Sequence, residues 1–514
     1  MRRDIPRLTE TTFDLLIVGA GIHGACAAWD AALRGLSVAV VDQEDFGAAT
    51  SANSLRIVHG GLRHLARGNL SLMRESIQER STLLRIAPGL VKPLKVLVPT
   101  YGQGARGRLA HAAALAINDL VSAGRNRELD EAHSLPRGHL VSRDECLSHF
   151  PWFVTKKLSG GAVWYDAQLQ HPERLTLSFL QAAANIGAVP VNYLRVDGLQ
   201  ASSGVVLGAR ATDRLTGTAL QIRARAVLVT AGPWTDTLVA TMSGKTHGPG
   251  PRQALGVNLV IKRHLADVAL GVRARSTRQD DPVCGGHRFL FSAPQKKVTL
   301  LGTWYTADAP DPLAARERGV RALLQEFNDA CPGLDLSEGE VMRCQWGWLP
   351  LKDGREPGRA TALAERPRIA DYRRALGVRN LVSAEGVKYT TARLVAEQAL
   401  DRVFVLLGRP SPPCRTEELR LPGTEAETSA ESGAEPARGE ILRAVRDEMA
   451  VKLTDVVFRR TGLGAAPGPV RFAVETAART AGAELGWDTI RQNLEVEAVM
   501  RETAAPGPVL EAVG

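Results

Sequence analysis

The chain has 514 residues, of which 44% are hydrophobic and 23% charged, as expected for a soluble globular protein with two or three domains. Its formal charge of +9 favours anionic partners, such as a phosphorylated substrate, a nucleotide cofactor or an anionic membrane surface. Nucleic acid is disfavoured because aromatic residues make up only 5% and no block of Lys and Arg stands out.

The six cysteines form no C-x-x-C pair, so the sequence indicates neither a zinc site nor a disulfide framework, and no metal is expected. This cysteine usage favours a reducing, cytoplasmic compartment. We expect no signal peptide, because the first predicted strand begins soon after Met1, and no transmembrane helix, because no apolar run is long enough. Any membrane contact would then be peripheral, on the inner face of the cytoplasmic membrane.

The N-terminal segment predicts a strand, a glycine turn, a helix and a second strand. Residues 15–18 are an unbroken apolar run, typical of a strand buried on both faces. Gly19, Gly21 and Gly24 fit the G-x-G-x-x-G fingerprint, in which a pyrophosphate lies at the helix N-terminus. Asp42, which ends the second strand, would accept a hydrogen bond from a ribose hydroxyl. A glycine-rich turn of another α/β protein is the alternative, but the register of all four features favours a dinucleotide site.

Small residues crowd positions 45–54, which indicates backbone lying against a ligand; a flexible loop is the alternative. A helix is predicted from about Asn69 to Ile86. Residues 100–150 are expected to form helices that either cover a substrate region or extend outward.

Two further strands are predicted to end in glycine turns. One runs into Ala231-Gly232, and the other, from Leu381, runs into Gly386 and a helix from Thr391. Three such strand ends favour a long dinucleotide, FAD, over NAD. The last helix would direct its positive end at the N1/C2=O edge of the flavin, with a Thr hydroxyl as its cap.

The remaining elements are predicted from apolar runs and turn residues. Strands are expected at 160–166, 189–196, 256–262, 288–292, 298–302 and 345–351, a hairpin at 204–222, and helices at 175–186, 312–330, 391–407, 440–457, 470–485 and 487–504.

The expected architecture is α/β: a Rossmann-like FAD-binding domain, an antiparallel-sheet substrate domain and a small C-terminal all-helical domain. The FAD-binding and substrate domains should together span 1–422, a linker 423–438 and the helical domain 439–514. Within the first region, FAD-binding segments at about 12–100, 160–240 and 352–410 should interleave with substrate-sheet segments at about 245–350.

Two segments carry a family resemblance. The first holds Thr50, Ser51, Ser54 and the run Ile-Val-His-Gly-Gly-Leu-Arg at 57–63; the second is Gly-Val-Lys-Tyr-Thr-Thr-Ala-Arg at 386–393. The chain resembles the FAD-dependent glycerol-3-phosphate dehydrogenases, within the flavoprotein superfamily that includes D-amino-acid oxidase. C-terminal segments at 448–450, 455–464 and 486–488 extend the resemblance to nearly the whole chain.

The resemblance implies oxidation of glycerol-3-phosphate, or a related polyol phosphate, to dihydroxyacetone phosphate. Hydride would pass to flavin N5, and the electrons to a quinone or to oxygen. A homodimer stays open. The implied FAD-binding residues are Gly19, Gly21, Gly24, Asp42, Thr50, Ser51, Ser54, His59, Gly60, Gly61, Val196, Ala231, Gly232, Lys388, Tyr389 and Thr390.

On the substrate side, Arg63, Arg366 and Lys388 match the family's phosphate-side cations, a task that suits the planar fork of Arg. For Arg366, an exposed surface charge is an equal alternative. Arg63, His64 and Lys388 are the predicted catalytic residues, and Asn258 is predicted to contact the substrate.

The sequence departs from the family on this side only. Leu349 replaces an Arg, Leu255 a Lys, Asn258 a His and His64 a Tyr. Asn258 cannot act as a base near neutral pH, so the proton acceptor is His64, His59 or a water, with His64 favoured because it adjoins Arg63.

The aromatic side chains nearby, Trp304, Tyr305, Trp346 and Trp348, either line the pocket or pack in the core. Two other functions therefore stay open. One is an FAD-dependent oxidase or dehydrogenase of a different hydroxy or amino compound. The other is a catalytically silent flavoprotein that binds partners through its C-terminal domain.

Overall fold

The computed structural model describes residues 1–65, 68–104, 107–242, 253–274, 281–283, 288–307, 309–352, 362–424, 438–464 and 470–503. Their strands are β1 Thr12–Val18, β2 Val38–Val41, β3 Ile57–Val58, β4 Val91–Tyr101, β5 His139–Val141, β6 Leu158–Leu169, β7 Val189–Val191, β8 Leu194–Ser202, β9 Val205–Asp213, β10 Ala219–Val229, β11 Gln253–Ile261, β12 Ala269–Arg273, β13 Phe289–Gln295, β14 Val298–Thr306, β15 Val341–Pro350, β16 Arg368–Asp371 and β17 Leu381–Glu385.

The helices of the described residues are α1 Ile5–Glu10, α2 Ile22–Leu33, α3 Leu62–Leu65, α4 Leu70–Ile86, α5 Arg108–Val121, α6 Arg143–His149, α7 Pro172–Asn185, α8 Thr235–Ala240, α9 Pro312–Ala330, α10 Arg373–Leu376, α11 Ala392–Leu407, α12 Arg438–Asp447, α13 Leu453–Asp455, α14 Arg471–Leu485 and α15 Thr489–Thr503. The predicted helices at 69–86 and 312–330 are confirmed as α4 and α9, and Asn69 caps α4 by accepting from the backbone N–H of Leu72.

The first sheet has the order β16-β17-β10-β1-β2-β7, with β9 joined to β10 and β8 to β9. Strands β17, β10, β1, β2 and β7 run parallel. Helices α2, α7 and α11 pack on one face, where Trp29, Phe179 and Phe404 are buried. Both faces are covered at the carboxyl ends of β1 and β10, where residues 15–18 and 226–229 are continuous apolar, buried runs, as the sequence indicated.

The second sheet has the order β15-β11-β14-β13-β12-β4-β6-β3, with β5 on β6. It is antiparallel apart from a short β12–β4 pairing at Val96 and Leu97. Helix α9 covers one face, where Trp304 and Phe327 are buried. The predicted α/β architecture with an antiparallel substrate sheet is therefore confirmed.

Two strands of the second sheet come from segments that the sequence placed in the FAD-binding part. Strand β4 was not predicted, and β6 was expected beside the cofactor; the two pair from Val91–Leu169 to Thr100–Gly160. Pro93 interrupts the apolar pattern of β4, but it lies outside the short stretch that pairs with β12, where a strand tolerates proline.

The C-terminal helices pack around their own apolar core, which includes Val456, Val474 and Val499. One helix was predicted over 440–457, but α12 ends at Asp447, and α13 and a π-helical turn at Val456–Arg460 follow. Met449 has a φ of 59°, which ends the helix, and the Asp455 carboxylate accepts from the backbone N–H groups of Val451 and Lys452. Residues 425–437 of the predicted linker lie outside the described residues.

The strand predicted at 189–196 is broken into β7 and β8 by Tyr193, which has a φ of 54°. In the part of the chain that the structure describes, no helix is long and apolar enough to cross a membrane.

Candidate active site

The carboxyl ends of the parallel strands lie side by side. Val18 of β1 is level with Val41 of β2 and Val229 of β10, and Val229 is level with Ser383 of β17. Ligands of open α/β sheets bind at this edge. The register therefore brings the turns after β1, β2, β10 and β17 together, and these turns carry most of the predicted FAD-binding residues.

The glycine turn after β1 is shaped by the absence of side chains. Gly19 has a φ of 101°, and a Cβ there would lie 2.6 Å from the carbonyl oxygen of Thr230. A Cβ on Gly24 would overlap the carbonyl oxygen of Gly19. The turn, β10 and the start of α2 can approach one another only because both residues are glycines. The first backbone N–H groups of a helix have no intrahelical partner; in α2 that of Ile22 donates to Ser51, and those that follow it can bind a pyrophosphate.

Gly21 and Ser51 connect this turn to the loop of small residues. A Cβ on Gly21 would lie 3.0 Å from Ser51 Oγ, which accepts a hydrogen bond from the backbone N–H of Ile22 at 3.0 Å. Thr50 Oγ1 contacts the backbone of Trp348 in β15, and Ser54 Oγ accepts from the N–H of Arg56. The loop therefore links the glycine turn to the second sheet.

Asp42 lies beside the glycine turn, as its place in the sequence predicted. Its Oδ2 accepts from the backbone N–H of Ala20 at 2.7 Å, and its Oδ1 from that of Glu44 at 3.1 Å. Burial raises the pKa of Asp42 to about 7, and the two N–H donors oppose that rise. Its contact with a ribose hydroxyl stays a prediction.

The loop His59-Gly60-Gly61 is fixed by a buried carboxylate that sequence reasoning missed. Asp166 Oδ2 lies 3.1 Å from His59 Nδ1, and Oδ1 accepts from the Gly60 N–H and from Arg80 Nη1, both at 2.7 Å. Burial alone would raise the pKa of Asp166, but the His59 and Arg80 contacts hold it well below its usual value. The one sequence signal for this contact was that Asp166 is the acidic residue at the end of the predicted strand 160–166.

Two predicted catalytic residues meet in the structure, although they are far apart in sequence. Lys388 Nζ lies 2.7 Å from His64 Nε2. This contact joins α3 to the turn before α11. His64 is only 1% exposed. The side chain of Arg63, the third predicted catalytic residue, lies outside the described part of the chain.

The other residues around this turn have mainly structural contacts. Tyr389 donates its hydroxyl hydrogen bond to the carbonyl of Pro172 in α7, and burial raises its pKa. Thr390 is buried. The prediction that a Thr hydroxyl caps this helix is wrong, because the Thr391 side chain makes no capping hydrogen bond at the start of α11.

The turn after β10 has the predicted placement. Ala231 and Val196 border the same apolar cluster on the second face of the first sheet, and Gly232 has a φ of 54° with open space around it. This open turn, the Gly19 and Gly24 contacts and the position of the start of α2 beside the glycine turn together fit a dinucleotide that extends along the carboxyl edge.

The sequence profile of the FAD-dependent oxidoreductases matches residues 14–402, and that of the C-terminal domain of alpha-glycerophosphate oxidase matches residues 422–492. The glycerol-3-phosphate dehydrogenase of Synechocystis is 31% identical over 443 residues, 82% of this chain and 76% of that protein. The human mitochondrial enzyme is 30% identical over 80% of this chain, which spans about half, 55%, of that relative. The chain belongs to the FAD-dependent glycerol-3-phosphate dehydrogenase family.

A solved structure agrees with this assignment at the level of the fold. The glycerol-3-phosphate dehydrogenase of Bacillus halodurans, complexed with FAD, superposes with a TM-score of 0.73 at 24% identity and covers 97% of this chain and 96% of its own. The predictions of family, fold class, FAD and an FAD-dependent oxidoreductase are therefore confirmed.

The positions at which this chain departs from its family on the substrate side lie on both faces of the second sheet. Leu255 is buried on the face of the sheet that α9 covers. The family's lysine at this position would therefore lie on that face, and its absence takes no cation from the other face. Leu349 lies against Gly256 on that opposite face, where an arginine is absent. Asn258, on the same face, accepts from Thr303 Oγ1 at 2.7 Å and donates to the carbonyl of Asn53 at 3.1 Å. Its described contacts are thus structural, and its contact with substrate stays a prediction.

The four aromatic residues named above also lie on different faces of the second sheet. Trp304 is buried under α9, and Trp346 and Trp348 pack against the same core. Only Tyr305 lies next to Gly256. Core packing, and not an aromatic pocket, therefore accounts for the three tryptophans.

Arg366 is exposed in the turn before β16. Arg368, two residues later, is bonded to Asp236 at 2.5 Å and lies 3.3 Å from Glu385 at the end of β17. Arg366 is thus exposed, and its contact with a phosphate stays a prediction.

Proposed function

We propose that this chain oxidises glycerol-3-phosphate, or a closely related polyol phosphate, to dihydroxyacetone phosphate and passes the electrons to a quinone. FAD, when bound, supplies the hydride acceptor. The observation that carries the proposal is the contact between Lys388 and His64. It joins the two segments of family resemblance into one site, beside the His59 loop.

His59 is the residue we assign to the substrate hydroxyl proton. Its ring is 40% exposed, while Asp166 contacts Nδ1 from the buried side. When Nδ1 carries the proton and donates to the carboxylate, Nε2 is the acceptor, and the carboxylate stabilises the charged ring that forms. His64 was favoured from the sequence, but its Nε2 is buried and already faces the Lys388 ammonium.

The phosphate group would bind near Lys388. The Lys388 residue is half-buried at the turn before α11, and its Nζ lies 2.7 Å from His64 Nε2. Arg63 follows Leu62 in α3, next to His64, and is the second cation in this proposal. Leu349 removes one cation that relatives carry, which favours, as a second candidate, an FAD-dependent oxidase or dehydrogenase of a different hydroxy or amino compound.

An exposed apolar face on helix α5 supports the proposal that the acceptor is a membrane quinone. Leu109 and Leu120 are 88% and 77% exposed, and Ile117 lies between them on the same side of the helix. Such an apolar face, on a chain with a charge of +9, suits peripheral contact with an anionic membrane surface. Oxygen is the alternative acceptor, and cytoplasmic location and a homodimer stay predictions.

The test is anaerobic reduction of the FAD-loaded protein, followed as loss of flavin absorbance. We expect glycerol-3-phosphate to bleach the flavin faster than glycerol, lactate or amino acids do. Bleaching by another compound alone would favour the second candidate. Bound FAD that no compound reduces would instead favour a catalytically silent binding protein.

A further inference from the structure

The C-terminal domain meets the FAD-binding region at a buried group of ion pairs around Asp45. Asp45 Oδ2 accepts from Arg459 Nε at 2.6 Å and from Arg460 Nη1 at 2.8 Å, and Oδ1 accepts from Arg460 Nη2 at 2.8 Å. The side chains of Asp45 and Arg460 are 0% and 1% exposed. We call Asp45, Arg459 and Arg460 the Asp45 cluster.

The charges of this cluster are compensated inside the protein. Burial opposes ionisation of Asp45, but Arg460 and Arg459 hold the pKa of this carboxyl below its usual value. Arg459 also donates to Asp455 Oδ1 at 2.6 Å, and the hydroxyl of Tyr193 donates to the same oxygen. Two carboxylates therefore face two guanidinium groups, as burial of charge requires.

Asp45 lies in the middle of the loop that follows β2. At one end of this loop, Asp42 Oδ2 accepts from the N–H of Ala20 at 2.7 Å. At the other end, the N–H of Gly47 donates to the carbonyl of Ala20 at 3.1 Å. Both ends of the loop thus contact the glycine turn, and the C-terminal arginines fix its centre.

We propose that Arg459 and Arg460 are positioning residues for FAD, through which the C-terminal domain holds loop 42–47 against the glycine turn and so retains the cofactor. Because its arginines bond to Asp45 in the middle of the loop, this domain can set the position of Asp42. The inference rests on FAD binding, which family membership establishes, and not on the proposed substrate.

The experiment uses the full chain carrying Asp45→Asn or Arg460→Gln. Apoprotein is titrated with FAD, and the dissociation constant is read from flavin fluorescence in the absence of substrate. The matched control is Glu448→Gln. Glu448 lies in the C-terminal domain and is buried as deeply as Asp45, with 1% of each whole residue exposed. Its carboxylate contacts Arg174 of α7 at 2.6 and 2.5 Å, and also Gln181 and Arg443, but not the loop. Its backbone carbonyl accepts from Arg460 Nε, and this group is unchanged in Glu448→Gln.

We expect the dissociation constant of FAD to rise by about tenfold or more in both cluster variants, equivalent to about 1.4 kcal/mol. Saturating FAD should restore the flavin spectrum, and Glu448→Gln should keep the affinity of the parent chain even if its melting temperature falls. Unchanged affinity in the cluster variants would overturn the proposal. An equal loss in Glu448→Gln would also overturn it, because general loosening of the domain would then suffice.

If Asp45→Asn yields no folded protein, Arg459→Lys decides the question by the same titration, since it keeps the charge and loses the planar fork. It should weaken FAD binding, and parent affinity would contradict the proposal. Flavin bleaching by glycerol-3-phosphate is measured separately at saturating FAD, so failure of the proposed function is distinguishable from failure of this inference.

Discussion

Replacing Gly386 by alanine should weaken FAD binding because His23 occupies the space of the new methyl group. A Cβ on Gly386 would lie 1.7 Å from Nε2, 2.2 Å from Cε1 and 2.6 Å from Cδ2 of His23. Ordinary contacts begin at about 3.4 Å, so the ring or the turn must move by roughly 1.7 Å. His23 is the second residue of α2, in the glycine fingerprint, and Gly386 begins the turn that carries Lys388.

The end of the His23 ring that meets the new methyl group is buried, so it can move only by displacing its neighbours. Its Nε2 is buried and has no hydrogen-bond partner among the described residues, and burial lowers the pKa of His23 to about 4. Overpacking of this kind costs about 1–3 kcal/mol. If the displaced turns lose that energy in cofactor binding, the affinity for FAD falls roughly 5- to 150-fold.

The assay is titration of apoprotein with FAD for Gly386→Ala, His23→Ala and the double variant. His23→Ala should restore most of the affinity lost in Gly386→Ala, because it removes the atoms that the new methyl group meets. Gly439→Ala is the control, since a Cβ there meets no atom within 4 Å. Parent affinity in Gly386→Ala, or a double variant no better than Gly386→Ala, would refute the reasoning.

Three further outcomes are expected. At saturating FAD, His59→Gln should lower kcat/KM for glycerol-3-phosphate by roughly 10²- to 10⁴-fold, and a smaller effect in steady-state kinetics would exclude His59 as the base. Replacing Leu109 and Leu120 together by serine should reduce sedimentation with anionic vesicles without changing FAD affinity; unchanged sedimentation would contradict membrane contact through α5. The pKa of Asp166 is depressed in the folded protein, so its stabilisation is present above the unfolded pKa of about 3.9 and is lost as the pH falls below it. The melting temperature of Asp166→Asn should therefore fall less steeply below that pH than that of the parent chain, and equal slopes would argue against this ion pair.

On the cofactor side, the sequence predicted the glycine turn and the strand ends that the structure brings together, and the individual FAD contacts stay predictions. Gly19, Gly24 and Asp42 could be placed because a strand, a glycine turn and an acid at fixed spacing define a local unit of about 30 residues. Helices α4 and α9 could be placed for the same reason, since apolar periodicity and Asn69 or Pro312 at the start are local features.

The substrate side could not be placed in this way, because its geometry depends on pairing between distant strands. Leu255 and Asn258 were both assigned to the active site by family position, yet they point to opposite faces of β11. Asp166 reaches His59 only because β6 pairs with β3, and no local pattern indicates that pairing.

The sequence by itself determined that this protein binds a dinucleotide at a strand–turn–helix unit, because each requirement of that unit is met by neighbouring residues. Only the tertiary structure decided that His59 contacts Asp166, that Gly386 packs against His23, and that Arg460 reaches Asp45. Each of these contacts joins residues more than 100 positions apart, and their approach is set by sheet register and domain packing, which local composition does not encode.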